Sequence, residues 1–191
     1  MISSSILKIA VLSKYRYKLQ QIAADEVDMF YGNTDISVWD SNVLTEIEIK
    51  TSKSDLVHGE AKKKEKHDHY KSPTDRDLQH KYIPNYFYVC VPTTLLPDAK
   101  SWVKSINKNY GILEYRASKE QGVWKCRPED MIYISKRAKP LVQCEHTWAL
   151  KKLARRLSSV NITLKTKLQD IITGPNYNVQ QKEAPCLNQS T

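Results

Sequence analysis

In the stretch Thr45-Glu46-Ile47-Glu48-Ile49-Lys50, charged and apolar residues alternate. Successive side chains of a strand point to opposite faces, so Glu46, Glu48 and Lys50 would share one face and Ile47 and Ile49 the other. Asp35-Ile36-Ser37-Val38-Trp39 alternates in the same way, and Asp40-Ser41-Asn42-Val43 between the two runs has turn chemistry. An antiparallel hairpin is therefore expected. A two-residue loop (Ser41-Asn42) or a four-residue loop (Asp40 to Val43) sets Asp35 opposite Glu48 in either case. An odd loop would turn Asp35 onto the isoleucine side. An aspartate and a glutamate converging beside a lysine offer hard oxygen donors suited to Mg²⁺ or Mn²⁺. The plainer alternative is an edge strand with a solvated charged face, because charges on an interior strand are costly unless paired or metal-bound.

The elements around this hairpin follow from periodicity. From about Ser13 to Phe30 the pattern reads as a helix, with Tyr15, Leu19, Ile22, Glu26 and Phe30 recurring at three- and four-residue spacings. Glu26 is the anomaly, a carboxylate within the apolar stripe. Gly32-Asn33 would end this helix. The charge-rich stretch from Val57 to Lys81 reads as a long connection, functional or partly disordered. Lys62, Lys63, Lys64 and Lys66 within it form either a solvated helix face or a phosphate-contacting one. His67 and His69 lie two residues apart without a cysteine or a third spaced ligand, and no zinc site is read from them. Tyr86 to Val91 is a continuous apolar run, as in a strand covered on both faces. A helix opens at Pro97-Asp98 and carries Trp102, Val103 and Ile106, with short strands at Ile112 to Tyr115 and Met131 to Ser135.

Near the C-terminus, a helix from about Glu145 sets Trp148, Leu150, Leu153 and Leu157 against Lys151, Lys152, Arg155 and Arg156. Between Lys136 and Arg156 seven basic residues face one acid, Glu145, which makes this segment the best candidate for a DNA-facing surface. An ordinary amphipathic helix with a basic face has the same composition. Val160 to Thr173 reads as another helix and 174–191 as a flexible tail. The segments together give an α/β fold of one domain spanning 1–173, with its core at about 13–157.

A chain of 191 residues with net charge +9 and a pI near 9.3 favours a polyanionic partner, nucleic acid first (DNA, with RNA not excluded) and an anionic membrane second. Cys90, Cys126, Cys144 and Cys186 are far apart, which argues against a disulfide framework and for a cytoplasmic, reducing compartment. Ile6 to Leu12 is too short for a membrane span and lacks a signal-peptide cleavage pattern. A homodimer is compatible with the sequence, but nothing in it specifies one.

Asp35 followed by Glu48-Ile49-Lys50 at hairpin spacing resembles the PD-(D/E)XK nuclease superfamily. The following Thr51-Ser52-Lys53-Ser54-Asp55-Leu56 is similar to the text after the lysine in its bacterial DNA-repair-type members. His80-Lys81-Tyr82 and Asn85-Tyr86-Phe87-Tyr88-Val89-Cys90-Val91-Pro92 resemble their next strand. Thr34 stands where the superfamily's name has proline. The resemblance spans roughly residues 10 to 155 and implies a restriction-endonuclease-like core, a mixed central sheet flanked by helices, here with an added C-terminal helical segment. It further implies Asp35, Glu48 and the Ile49 carbonyl as ligands of Mg²⁺ or Mn²⁺, with Glu26 acting from the first helix through water. Lys50 would orient the attacking water or stabilise the transition state, and Glu46 would be a second-ion ligand or a salt-bridge partner. The activity implied is metal-dependent hydrolysis of DNA. The competing expectation is a nucleic-acid-binding module that keeps the fold without the chemistry.

Overall fold

A computed structural model describes residues 2–29, 32–74, 83–117 and 127–173. The chain divides into two compact units, 1–156 and 157–191. The expected tail, 174–191, lies outside the described residues.

The first unit is built on one mixed six-stranded sheet in the order β1-β2-β3-β4-β5-β6. Strands β1 (Ile22–Met29), β2 (Gly32–Asp40) and β3 (Val43–Ile49) form an antiparallel meander. β4 (Tyr86–Pro92) then runs parallel to β3, and β5 (Gly111–Tyr115) parallel to β4. β6 (Ile132–Lys136) closes the edge antiparallel. Helix α1 (Ser4–Ser13) precedes the sheet, α2 (Lys64–Lys71) lies between β3 and β4, and α3 (Leu96–Ile106) between β4 and β5. Helix α4 (Thr147–Thr173) follows β6. Among the described residues, no helix is long and apolar enough to cross a membrane.

The hairpin forms as its turn residues dictate. Ser41 and Asn42 have φ of 49° and 70°, the two successive positive values of a turn whose twist matches the strands. The resulting register pairs Asp40 with Val43, Ser37 with Glu46 and Ile36 with Ile47. The paired register ends at Ile36 and Ile47, and just beyond it the Asp35 carboxylate accepts from the Ile49 amide at 2.9 Å.

Both faces of the sheet are covered. Ile36, Val38, Ile47 and Ile49 pack with Leu7, Ala10 and Val11 of α1, whose spacing of three and four puts them on one helical stripe. Across the sheet, Phe87, Val89, Val91 and Ile112 pack with Leu56, Tyr70, Trp102 and Val103. β3, third of six strands, is interior rather than an edge.

Three expectations need correcting. The helix expected from Ser13 to Phe30 ends at Ser13. A π-helical turn, Lys14–Lys18, follows it, and residues 22–29 form β1. The three- and four-residue spacings mimicked a helix, but pairing with β2 prevails over local pattern. The second correction concerns the connection after Lys50, whose described residues, up to 74, are largely helical. It holds a π-helical turn at Asp55–Gly59 and then α2. The separate helix expected at Val160 to Thr173 is the continuation of α4.

Candidate active site

Glu46, Glu48 and Lys50 lie on the α2 side of the sheet and are 1%, 2% and 5% exposed. Carboxylates so deeply buried require compensating charge, and α2 supplies it. Lys63, Lys66, His67 and Tyr70 recur at helical spacing, so one face of the segment meets the strand. Lys66 Nζ is paired with Glu46 Oε1 and lies 2.7 Å from Glu48 Oε1. It also lies 5.4 Å from the Phe87 ring centroid and 5.8 Å from that of Tyr70, where the ring faces favour a cation. Tyr70 donates its hydroxyl to Glu46 Oε2 at 2.6 Å. Lys63 Nζ stands 2.8 Å from Glu48 Oε2 and 3.3 Å from Glu60 Oε1.

Lys50 joins the same cluster from the end of β3. Its ammonium is 2.6 Å from Glu60 Oε1, 3.5 Å from Asp55 Oδ1 and 3.6 Å from Glu48 Oε2. Glu60 is tied in turn to His67 Nε2 at 2.8 Å, and His67 Nδ1 meets the Tyr110 hydroxyl at 2.8 Å. A carboxylate only accepts, so Nε2 carries the proton on the Glu60 side.

The electrostatics follow from this packing. Burial pushes the Glu48 carboxyl up, but the charges of Lys66, Lys63 and Lys50 outweigh it and hold Glu48 far below the usual carboxylate range. Glu60 is likewise held at about 2, burial being opposed by the hydrogen bond from His67 and by Lys50 and Lys63. Glu46 goes the other way, since its complete burial prevails over Lys66. Burial disfavours the Lys50 ammonium, but Glu60 and Glu48 more than restore it, so Lys50 is held charged.

Asp35 approaches from β2. Its Oδ2 accepts from the Ile49 amide at 2.9 Å and its Oδ1 is 3.2 Å from Lys8 Nζ on α1. Burial and then the negative charge of Glu48 raise its carboxyl above the ordinary range, against the Ile49 N–H and Lys8. Neighbouring carboxylates in a low-dielectric interior disfavour each other's charged form.

The remaining expected residues are placed differently. Glu26 is on β1, not on a helix, at a positive φ of 49°. Its carboxylate is exposed and pairs with Lys8 at 3.2 Å and Arg156 at 3.5 Å, so it meets Asp35 through the shared Lys8 ammonium. Lys66 and Lys63 do not form a freely solvated face. Lys66 is buried and Lys63 half-buried because both turn inward to the carboxylates, while Lys62 and Lys64 are exposed. On α4, Lys152 Nζ donates to the Asp28 carbonyl at 2.8 Å and Arg156 Nε to the Asp25 carbonyl at 3.0 Å, so these two are engaged with β1. Lys151 and Arg155 remain exposed. Sequence reading missed Lys8, Glu60, His67, Tyr70 and Tyr110 as members of the network. The spacing of Glu60, Lys63, His67 and Tyr70 was the signal for one helical face.

Among the described residues, no three His, Cys, Asp or Glu side chains converge as a metal-binding group. No protein-family model matches the sequence, and no curated protein matches it. The fold is similar to that of a protein of unknown function from Silicibacter pomeroyi, with a TM-score of 0.53 at 13% identity over 95% of this chain and 99% of that one.

Proposed function

We propose that this chain is a metal-dependent nuclease acting on DNA, with a restriction-endonuclease-like core. The single observation that carries the reading is the hydrogen bond from the Ile49 amide to Asp35 Oδ2 at 2.9 Å, which holds the Asp35 carboxylate beside the Glu48-Ile49-Lys50 run, where the Lys50 ammonium lies 3.6 Å from Glu48 Oε2. The succession of a helix, three antiparallel strands, a helix and a parallel strand also supports it, as that order is the core of the PD-(D/E)XK superfamily. The donor set fits a hard divalent ion by its chemistry: the carboxylates of Asp35 and Glu48 and the carbonyl of Ile49 are all oxygens. When bound, Mg²⁺ or Mn²⁺ supplies Lewis-acid polarisation of a phosphate and a nucleophilic hydroxide at neutral pH.

The chain's own residues have separable tasks in this proposal. Lys50, held charged by Glu60 and Glu48, stabilises the negative charge that grows on phosphorus and is not the proton acceptor. Glu60 and Asp55 fix where that ammonium stands. Lys66 neutralises Glu46 and keeps Glu48 upright in the interior. A net charge of +9 raises the local concentration of a polyanion, and Lys151 and Arg155 are the exposed candidates on α4 to meet its phosphates.

The second reading, a nucleic-acid-binding module without catalysis, is favoured by one specific observation. Both oxygens of Glu48 already face lysine ammoniums, Oε1 that of Lys66 and Oε2 that of Lys63. The two readings separate in one assay panel of plasmid, linear, single-stranded and branched DNA, each with Mn²⁺ and with chelator. The nuclease cuts at least one form in Mn²⁺ and none in chelator. Binding of DNA without cleavage of any form would leave the module.

A further inference from the structure

The three lysines around Glu48 are not equivalent. Lys66 is enclosed: its side chain is 7% exposed, it holds two carboxylates, and it lies against two aromatic rings. Lys50 is 6% exposed and anchored most closely to Glu60, 3.6 Å from Glu48 Oε2. Lys63 is the closest ammonium to Oε2, at 2.8 Å, yet its side chain is 36% exposed. It caps the N-terminus of α2, its N–H donated to the Glu60 carbonyl at 2.9 Å and its carbonyl accepting from the His67 N–H at 3.3 Å, so its freedom lies in the side chain. A long, half-solvated lysine can rotate into water with little reorganisation, whereas an enclosed one cannot.

The charges point the same way. Glu46 and Glu48 present two carboxylates to the fixed Lys66, and Oε2 of Glu48 is left to whichever further cation comes nearest. In the structure described here that cation is Lys63. A divalent ion at Asp35 and Glu48 would contend for the same oxygen, and Lys63 is the one partner able to yield it.

We propose that Lys63 is an exchangeable counterion of the candidate site. It holds Glu48 Oε2 while the metal is absent, gives up that oxygen when a divalent cation binds, and is then free at the mouth of the site to meet a substrate phosphate. The proposal rests on the reading of Asp35 and Glu48 as metal ligands. It assigns Lys63 a role that Lys62 and Lys64, exposed on either side of it, do not share. The lysine keeps Glu48 compensated before the ion arrives, and it limits how tightly the ion is held.

The test is Mn²⁺ binding to the full chain without DNA, by calorimetry and by the loss of the free Mn²⁺ paramagnetic signal. Removing a competing, partly solvated ion pair should tighten Mn²⁺ binding in Lys63→Gln by about fivefold. Lys63→Met, which keeps the aliphatic stem, should do the same, so that a folding defect in one variant does not decide the matter. Lys63→Arg retains the charge and should bind as wild type. Lys64→Gln makes the same change of net charge on an exposed neighbour and should also bind as wild type. Equal or weaker affinity in both neutral Lys63 variants would overturn the exchange while leaving the metal site standing. So would a tightening in Lys64→Gln as large as that in Lys63→Gln. Absence of Mn²⁺ binding in every protein, wild type included, would remove the metal site itself and the exchange with it.

Discussion

The two faces of β3 are equally buried and chemically opposite. On one, Ile47 and Ile49 meet the Leu7, Ala10 and Val11 stripe of α1. On the other, Glu46, Glu48 and Lys50 meet Lys63, Lys66, Tyr70 and Glu60 from the α2 segment. Apolar burial is favourable in itself, at roughly 25 cal/mol per Å². Buried ion pairs are not, because desolvation offsets most of the attraction, and apolar replacements of similar volume are often as stable. The apolar face therefore accounts for folding, while the charged face needs another reason to exist. Function is the reason proposed here, and the contrast can be pressed from several sides.

The largest expected effect is on activity. Glu48→Gln should lower cleavage by roughly a thousandfold or more, since it removes a charge from the reacting centre. Ile47→Val on the opposite face should leave the rate per folded molecule unchanged. Steady-state cleavage normalised to folded protein checks both, and equal losses would erase the distinction between the faces.

Stability should respond on both faces, through different causes. Lys66→Met leaves Glu46 and Glu48 short of a buried partner and should cost about 3–5 kcal/mol. Ile47→Ala leaves a cavity and should cost about 2–5 kcal/mol. Denaturant melts measure both. Lys66→Met costing less than about 1 kcal/mol would show that the carboxylates find other compensation.

How much of this was legible beforehand differs between the faces too. The hairpin register was readable because strand parity is strict: with Ser41-Asn42 as the turn, Ser37 falls opposite Glu46 and Ile36 opposite Ile47. The division of Ile47 and Ile49 from Glu46 and Glu48 follows from the same alternation. β1 was not readable, because Tyr15, Leu19, Ile22 and Glu26 happen to recur at helical spacing, and only pairing with β2 makes 22–29 a strand. The inward turn of Lys63 and Lys66 was hidden for another reason. Lysine is rarely buried, and the acids that hold these two lie 15 to 20 residues earlier in the chain.

A smaller effect lies in the acid range. Glu60 has a folded carboxyl at about 2 against an ordinary value of 4.5. A carboxyl depressed on folding contributes stability that is present above its unfolded value and lost as pH falls through the folded one. The Glu60 contribution should therefore be lost between about pH 4.5 and 2, with Glu48 contributing in the same direction and the raised carboxyls of Glu46 and Asp35 in the opposite one. Glu60→Gln should make that decline shallower in urea melts taken across the window. A slope unchanged by the substitution would mean that His67, Lys50 and Lys63 do not hold this carboxylate as described.

The smallest effect expected is on the salt dependence of DNA binding. Lys151→Gln with Arg155→Gln should flatten the slope of log affinity against log salt by about one to two units. Lys152→Gln with Arg156→Gln should change it less, because those side chains already serve the carbonyls of Asp28 and Asp25. The reverse ranking would move the DNA contact to the other side of α4.

Lys50→Ala tests the central claim most directly, that the charged face of β3 performs phosphodiester chemistry. The variant should keep its fold and its affinity for DNA, because the contribution of Lys50 is made in the transition state. Its Mn²⁺-dependent cleavage, on the DNA form that the wild type cuts best, should fall by orders of magnitude. Cleavage by Lys50→Ala at the wild-type rate, or cleavage by the wild type that persists undiminished in chelator, would contradict it.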